Sequence, residues 1–401
     1  MGSAMELDDK LYISAREAAA ILGVSMATLY TYVSRGHLRV QRSPGQRESR
    51  YWLSDVERMK GRPSSRGGTG FATLVSDSAI TLVTRTGTYY RGRDVTALAE
   101  THTLEQVATL LWDLEDVDVF DAPLPALPAL NAGFSGEISA LDFPDRVGAL
   151  VPFMERANPR CFDATPNGFA EGGAGMLRWV VALMVGRDTI STDPIHLQVV
   201  SEVPVTERDG WAEVARRLLV LSADHDLDPT TLAARAVANT GVSPYRVMMA
   251  AMMTAEGRRG VQVRARGASR LLDEIDEAVD PTAPILGRLR SGEALPGFGA
   301  YIHVGGDSRV NAILSTYRRF LPDDPDIARF LRVVDMVRDA TGLAPQFVLA
   351  LWVFNRKLIR LHKDLSLLRI GRICGWIAHA LEQSTHDVVR PRSLYLGRLP
   401  E

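Results

Sequence analysis

The feature that most constrains this chain is a helical hydrophobic period that runs almost unbroken through residues 72–401. Apolar side chains recur every three or four positions over Leu104–Asp113, Gly172–Val185, Gly210–Ser222, Thr230–Asn239, Pro244–Glu256, Ala268–Val279, Ser308–Phe320, Asp326–Thr341, Pro345–Leu361 and Ser366–Glu382. Each such stripe must bury itself against another helix. Strand-like patterning is confined to Ala79–Val83 and Thr88–Arg91, so the sequence predicts an all-α body with one small hairpin. Val247–Thr254 is apolar on every side, which predicts a helix buried in the domain or in a subunit interface. No stretch reaches the roughly 18 uncharged apolar residues that a membrane helix needs. Met176–Val185 is short and contains Arg178. The two cysteines, Cys161 and Cys374, lie far apart in apolar surroundings, which predicts a reducing, cytoplasmic setting. No grouping of residues suggests a metal site.

Charge divides the chain. Residues 11–66 carry ten Lys/Arg against four Asp/Glu, a net of +6, whereas residues 67–401 carry −6. A basic head on an acidic body suggests that the head alone meets a polyanion. Ser14-Ala-Arg-Glu17 has the spacing of a capping box, opening a helix over Arg16–Leu22 that stops at Gly23. Ser25 then caps a second helix, Met26–Ser34, with Leu29 and Val33 on the core side. A β-hairpin wing is expected over His37–Trp52, then a third helix over Val56–Lys60 capped by Ser54-Asp55. The run Ala15–Lys60 resembles the winged helix-turn-helix of MerR and excisionase-like regulators. That resemblance implies a DNA-binding domain over residues 11–60, with Ser25, Thr28, Thr31, Tyr32, Arg35, Arg47 and Arg50 facing phosphates or base edges. Gly61–Gly70 is rich in glycine and serine, and residues 61–71 read as a flexible linker.

The body carries a second set of blocks. They are Asp77-Ser-Ala-Ile-Thr, Tyr90-Arg-Gly-Arg-Asp-Val-Thr-Ala-Leu-Ala-Glu, Leu104 to Trp112, Ser222-Ala-Asp-His-Asp-Leu-Asp, Gly297-Phe-Gly, Asp307-Ser-Arg309, Ile370 to Gln383, and Arg390 to Gly397. In this order they resemble the citrate synthases, including the 2-methylcitrate synthases. The resemblance implies a helical homodimer over residues 72–401, with a smaller mobile subdomain at roughly 225–340 and the active site between the two parts.

It also implies site residues. Those that hold a dicarboxylate correspond to His225, Arg309, Arg372 and Arg390, the last reaching across the dimer. A guanidinium fork grips a carboxylate with two parallel hydrogen bonds. The positions of the two catalytic histidines and the aspartate are instead Gly260, Ala300 and Gln346, and glutamine cannot abstract a proton. His303, three residues beyond Ala300, is a candidate substitute only if its loop is rebuilt. Two readings follow. The first is a homodimeric transcription regulator that senses a di- or tricarboxylate through a body that no longer turns over. The second is a divergent acyl-CoA condensing enzyme, which would need a CoA thioester as substrate but no resident cofactor.

Overall fold

The structure is a computed structural model. It describes residues 12–41, 49–60, 78–85, 87–124, 132–257, 261–299, 303 and 306–386. The chain divides into two units, residues 1–76 with 391–401, and residues 77–390. The expected linker, 61–71, lies outside the described residues.

In the first unit, β1 (Tyr12–Ser14) leads into α1 (Ala15–Leu22), followed by α2 (Met26–Ser34), β2 (Val40–Gln41), β3 (Arg50–Trp52) and α3 (Leu53–Lys60). The capping box is formed: Ser14 Oγ accepts from the Glu17 amide and Glu17 returns to the Ser14 amide. Gly23 ends α1 at φ 64°, a left-handed turn that glycine adopts without steric penalty. β3 is the centre of a three-stranded antiparallel sheet in the order β1-β3-β2, and β1 is a strand the sequence did not announce. The helices and sheet enclose Ala18, Leu29, Leu38, Tyr51 and Val56. α3 begins at Leu53, ahead of the Ser54-Asp55 pair expected to cap a helix over Val56–Lys60. The buried Asp55 carboxylate takes the Arg39 amide at 2.8 Å and its guanidinium at 2.9 and 3.0 Å.

The second unit opens with a three-stranded antiparallel sheet of β4 (Thr81–Val83), β5 (Thr88–Tyr90) and β6 (Arg93–Asp94). Helices follow: α4 (Val95–Thr101), α5 (Leu104–Trp112), α6 (Ala132–Ser139), α7 (Phe143–Ala157), a 3-10 turn (Pro159–Phe162), α8 (Pro166–Met184), α9 (Ile195–Gln198), α10 (Val205–Leu221), α11 (Pro229–Ala238) and α12 (Pro244–Ala255). Then come α13 (Val261–Glu277), α14 (Ala283–Ser291), α15 (Ser308–Phe320), α16 (Pro325–Thr341), α17 (Phe347–Ile359) and α18 (Leu367–Ser384). The unit is predominantly helical, as the periodicity requires. Among the described residues no helix is long and apolar enough to cross a membrane.

The core is organised round α18, which packs on α5, α8, α10, α11 and α12. Small residues allow the approach. A methyl added at Gly173 of α8 would lie 3.0 Å from Ile377, and one at Gly172 would lie 2.9 Å from Pro244. Trp112 crosses to α18 and donates its indole N–H to the Cys374 carbonyl at 2.9 Å. The charge inside α8, Arg178, donates to the Phe120 carbonyl at 2.6 Å and lies over its ring. On α12, Val247, Met248, Ala251 and Met252 are buried, and Met253 is 36% exposed in the single chain.

Candidate functional site

The site begins with one buried acid. α10 ends at Leu221, and the chain turns through 222–228 before Asp228 caps α11 by accepting from the Thr230 and Thr231 amides. Within this turn Asp224 is wholly buried. Its carboxylate accepts from Thr81 Oγ1 at 2.6 Å, from Arg372 Nη1 at 2.7 Å and from the Asp226 amide at 3.1 Å. His379 completes the set with Nε2 at 3.2 Å. The tautomer follows from the other ring nitrogen: Nδ1 faces Arg235 Nη1 at 3.2 Å, a group that can only donate, so Nε2 carries the proton. Burial opposes the charge on Asp224, but Arg372 and His379 outweigh it and hold the carboxyl well below the usual range.

Two glycines on α18 make room for this turn. A methyl at Gly375 would overlap the Asp224 carboxylate, and one at Gly371 would sit 2.8 Å from Ser222 Cβ and 2.9 Å from its carbonyl carbon. The Ile370-Gly-Arg-Ile-Cys-Gly motif thus seats the loop on the helix and sends Arg372 between them.

Arg372 is fully committed on one side, to Asp224, to Thr231 Oγ1 at 2.7 Å and to Asp228 at 3.2 Å. Arg309 stands in the first turn of α15. Asp307 caps that helix by accepting from the Arg309 amide at 3.0 Å and grips its guanidinium at 3.0 and 2.8 Å. The guanidinium carbon lies 4.1 Å from the centre of the Phe347 ring.

Both arginines open on a cavity of about 1140 Å³, lined also by His225, His303, Gln346 and Trp376. Burial, with Arg309 and Arg372 nearby, pushes the His225 imidazolium down to about 3, so the ring is neutral at neutral pH. His303 stands perpendicular to it, ring centres 5.9 Å apart. His303 Nδ1 faces the Thr84 carbonyl at 2.8 Å, and Nε2 lies 3.6 Å from Asp307 Oδ2. His303 forms part of the cleft wall.

Gln346 is the N-cap of α17. Its amide N–H donates to the Gly297 carbonyl at 2.7 Å and its side-chain Nε2 reaches the Phe298 carbonyl at 3.5 Å. Gly297 holds φ 80° with Leu349 so close that a Cβ would lie 2.9 Å away, which explains the Gly297-Phe-Gly block. Gly260, Ala300 and Arg390 lie outside the described residues. His225, Arg309, Arg372, His303 and Gln346 all line one cavity. Sequence reasoning passed over Asp226, which also lines it; burial raises its carboxyl above the usual value, and its φ of 55° is strained for a non-glycine residue. Burial also opposes the charges of Asp228 and Asp307, but Arg372 and Arg309 respectively lower both.

In the first unit, the expected outward face of α2 is corrected by one residue. Thr31 and Arg35 are exposed. Tyr32, however, is half-buried, packed with Val33 on the core and edge-on to His37. Tyr30, 54% exposed, is the tyrosine that faces outward. Ser25 and Thr28 are joined by a 2.9 Å hydrogen bond, and Ser25 also caps the helix. Arg50 is half-buried in β3, and Arg47 lies outside the described residues.

Residues 193–392 match the model of the citrate synthase C-terminal domain. The chain is 27% identical over 191 residues to citrate synthase of Haloferax volcanii, a match covering 46% of this chain and 50% of that protein. It thus spans about half the length of that relative. The 2-methylcitrate synthase of Mycobacterium tuberculosis aligns further, at 24% identity over 370 residues, 84% of this chain and 91% of that one. Among solved structures, the ternary complex of carboxymethyl coenzyme A and oxaloacetate with citrate synthase of Thermoplasma acidophilum superposes with a TM-score of 0.62. It covers 82% of this chain and 96% of that one at 16% identity, which shows a shared fold. Over these spans the chain is similar to the citrate synthases and 2-methylcitrate synthases.

Proposed function

We propose that the body binds a small carboxylate without condensing it with an acyl group, and that the N-terminal unit, a winged helix-turn-helix, reports this binding to DNA. The observation that carries the first half is Gln346. It stands at the N-cap position of α17 and lines the same cavity as the two arginines, where the family resemblance expects the aspartate that removes the acyl α-proton. An amide is not a base at neutral pH. Arg309, Arg372 and the neutral His225 meanwhile still present donors to an anion. A helix pair joined at Gly23, with Tyr30, Thr31 and Arg35 outward, supports the second half. A homodimer would pair two such heads, and a di- or tricarboxylate would shift their geometry by closing the cleft.

The test is release of free CoA thiol from acetyl-CoA or propionyl-CoA with oxaloacetate and related 2-oxo acids. The proposal expects background rates, since losing a general base alone costs about 10²–10⁴-fold. Turnover that disappears in Arg309→Ala would establish the second reading, a divergent synthase. Asp226 is what favours that alternative, as a carboxyl in the cleft whose basicity burial strengthens.

A further inference from the structure

Among the described residues, two side chains lining the cleft carry a buried polar atom without a partner: Trp352, whose indole N–H can only donate, and His303. His303 is 5% exposed, and its Nε2 is buried without a hydrogen-bond partner among the described residues. Its chemical character is fixed from the far side of the ring. The Thr84 carbonyl, 2.8 Å from Nδ1, can only accept, so in the neutral ring Nδ1 holds the proton and Nε2 offers a lone pair. The nearest acid does not alter this: Asp307 Oδ2 is 3.6 Å away, too far for a hydrogen bond, and both its oxygens are taken by Arg309.

Arg309 Nη2 and His303 Nε2 are neighbours round the same oxygen, Asp307 Oδ2, at 2.8 and 3.6 Å. Arg309 spends Nε and Nη2 on Asp307 and keeps Nη1 without a partner among the described residues. A guanidinium with one nitrogen free and a bare acceptor therefore share one neighbour, Asp307, in the wall of the same cleft. The ligand feature that satisfies both is a carboxylate with a hydroxyl on the adjacent carbon: the carboxylate takes the guanidinium, and the hydroxyl donates to Nε2. A 2-oxo acid offers the same carboxylate but an acceptor where a donor is needed, leaving two lone pairs opposed in a buried place.

We infer that this cleft selects 2-hydroxy carboxylates over the corresponding 2-oxo carboxylates, with His303 as the specificity-determining residue. The inference rests on the carboxylate-binding reading above and adds the class of carboxylate.

The experiment is calorimetric titration of the full chain with two matched pairs, malate against oxaloacetate and 2-hydroxyglutarate against 2-oxoglutarate. The hydroxy acid of at least one pair binds tenfold or more tightly than its oxo partner, and His303→Phe brings that ratio close to one. Equal or tighter binding of both oxo acids overturns this inference and leaves the carboxylate reading standing. Binding of none of the four overturns both. The ratio measured on the unaltered chain decides the matter even if His303→Phe does not fold.

Discussion

The Arg372 guanidinium meets the buried Asp224 carboxylate at 2.7 Å, and that single pair joins the sheet, the α10–α11 turn and α18. Asp224 takes Thr81 from β4 and His379 from α18 in the same grip, so the arginine that faces the cleft is set by the core rather than by the surface. Replacing Asp224 by Ala leaves a buried guanidinium with Asp228 as its one charged partner among the described residues. Loss of one member of a buried pair costs about 3–5 kcal/mol. Urea unfolding of Asp224→Ala should show that loss, and Asp224→Asn a smaller one. A midpoint unchanged in both would deny the pair its structural role.

Gly375→Ala tests the same junction from the helix side. The added methyl would overlap the Asp224 carboxylate and crowd the Ala223 carbonyl at 2.7 Å. Overpacking of this kind costs about 1–3 kcal/mol. Thermal denaturation should show a clear drop in Tm, although alanine is the better helix former.

Stability should fall on acidification, beginning well above the carboxylate range. His225 is pushed down to about 3 when folded, against an ordinary value near 6.5, so between these limits the unfolded chain binds more protons. His225 therefore contributes fully above about pH 6.5 and loses that contribution as pH falls toward 3. His196 and His362, also lowered by burial, act in the same direction. Asp224, Asp228 and Asp307, whose values are lowered, add a second loss as pH falls below their usual range. Urea midpoints at pH 7.5, 5.5 and 4.5 should decline in order, with a shallower decline in His225→Gln. A flat series would contradict the neutral, buried state of these rings.

The two tyrosines of α2 separate surface from core. Tyr30→Ala removes an exposed ring and should weaken DNA binding severalfold while leaving amide exchange over residues 12–60 unchanged. Tyr32→Ala removes a ring packed against the small core and should speed exchange there. The opposite pattern would mean that α2 presents its other face.

The register of α2 was in fact legible. Leu29, Tyr32 and Val33 are spaced i, i+3 and i+4, one helical face, and pairing Leu29 with Val33 alone placed Tyr32 on the wrong side. Long helices such as Ser308–Phe320 came through to the residue because their stripes are continuous. Phe143–Ala157 did not: Pro144 and Pro152 read as breaks, and its buried Glu155 interrupts the stripe until Arg246 and Ser243 of the α12 start are seen to hold it. Arg309 and Arg372 could be named from their motifs. That Asp307, Asp224 and Asp228 would already grip them, and that His303 would turn into the cleft, depends on contacts between segments far apart in sequence.

The account stands or falls on whether the cleft speaks to DNA. Fluorescence anisotropy of the full chain on DNA from immediately upstream of its own coding region, with competitor DNA present, measures this directly. The account predicts binding whose Kd shifts fivefold or more as malate is added, the low end of ordinary coupling energies, and loss of that shift in Arg309→Ala. No binding above the competitor, or a Kd indifferent to every carboxylate tried, would contradict it.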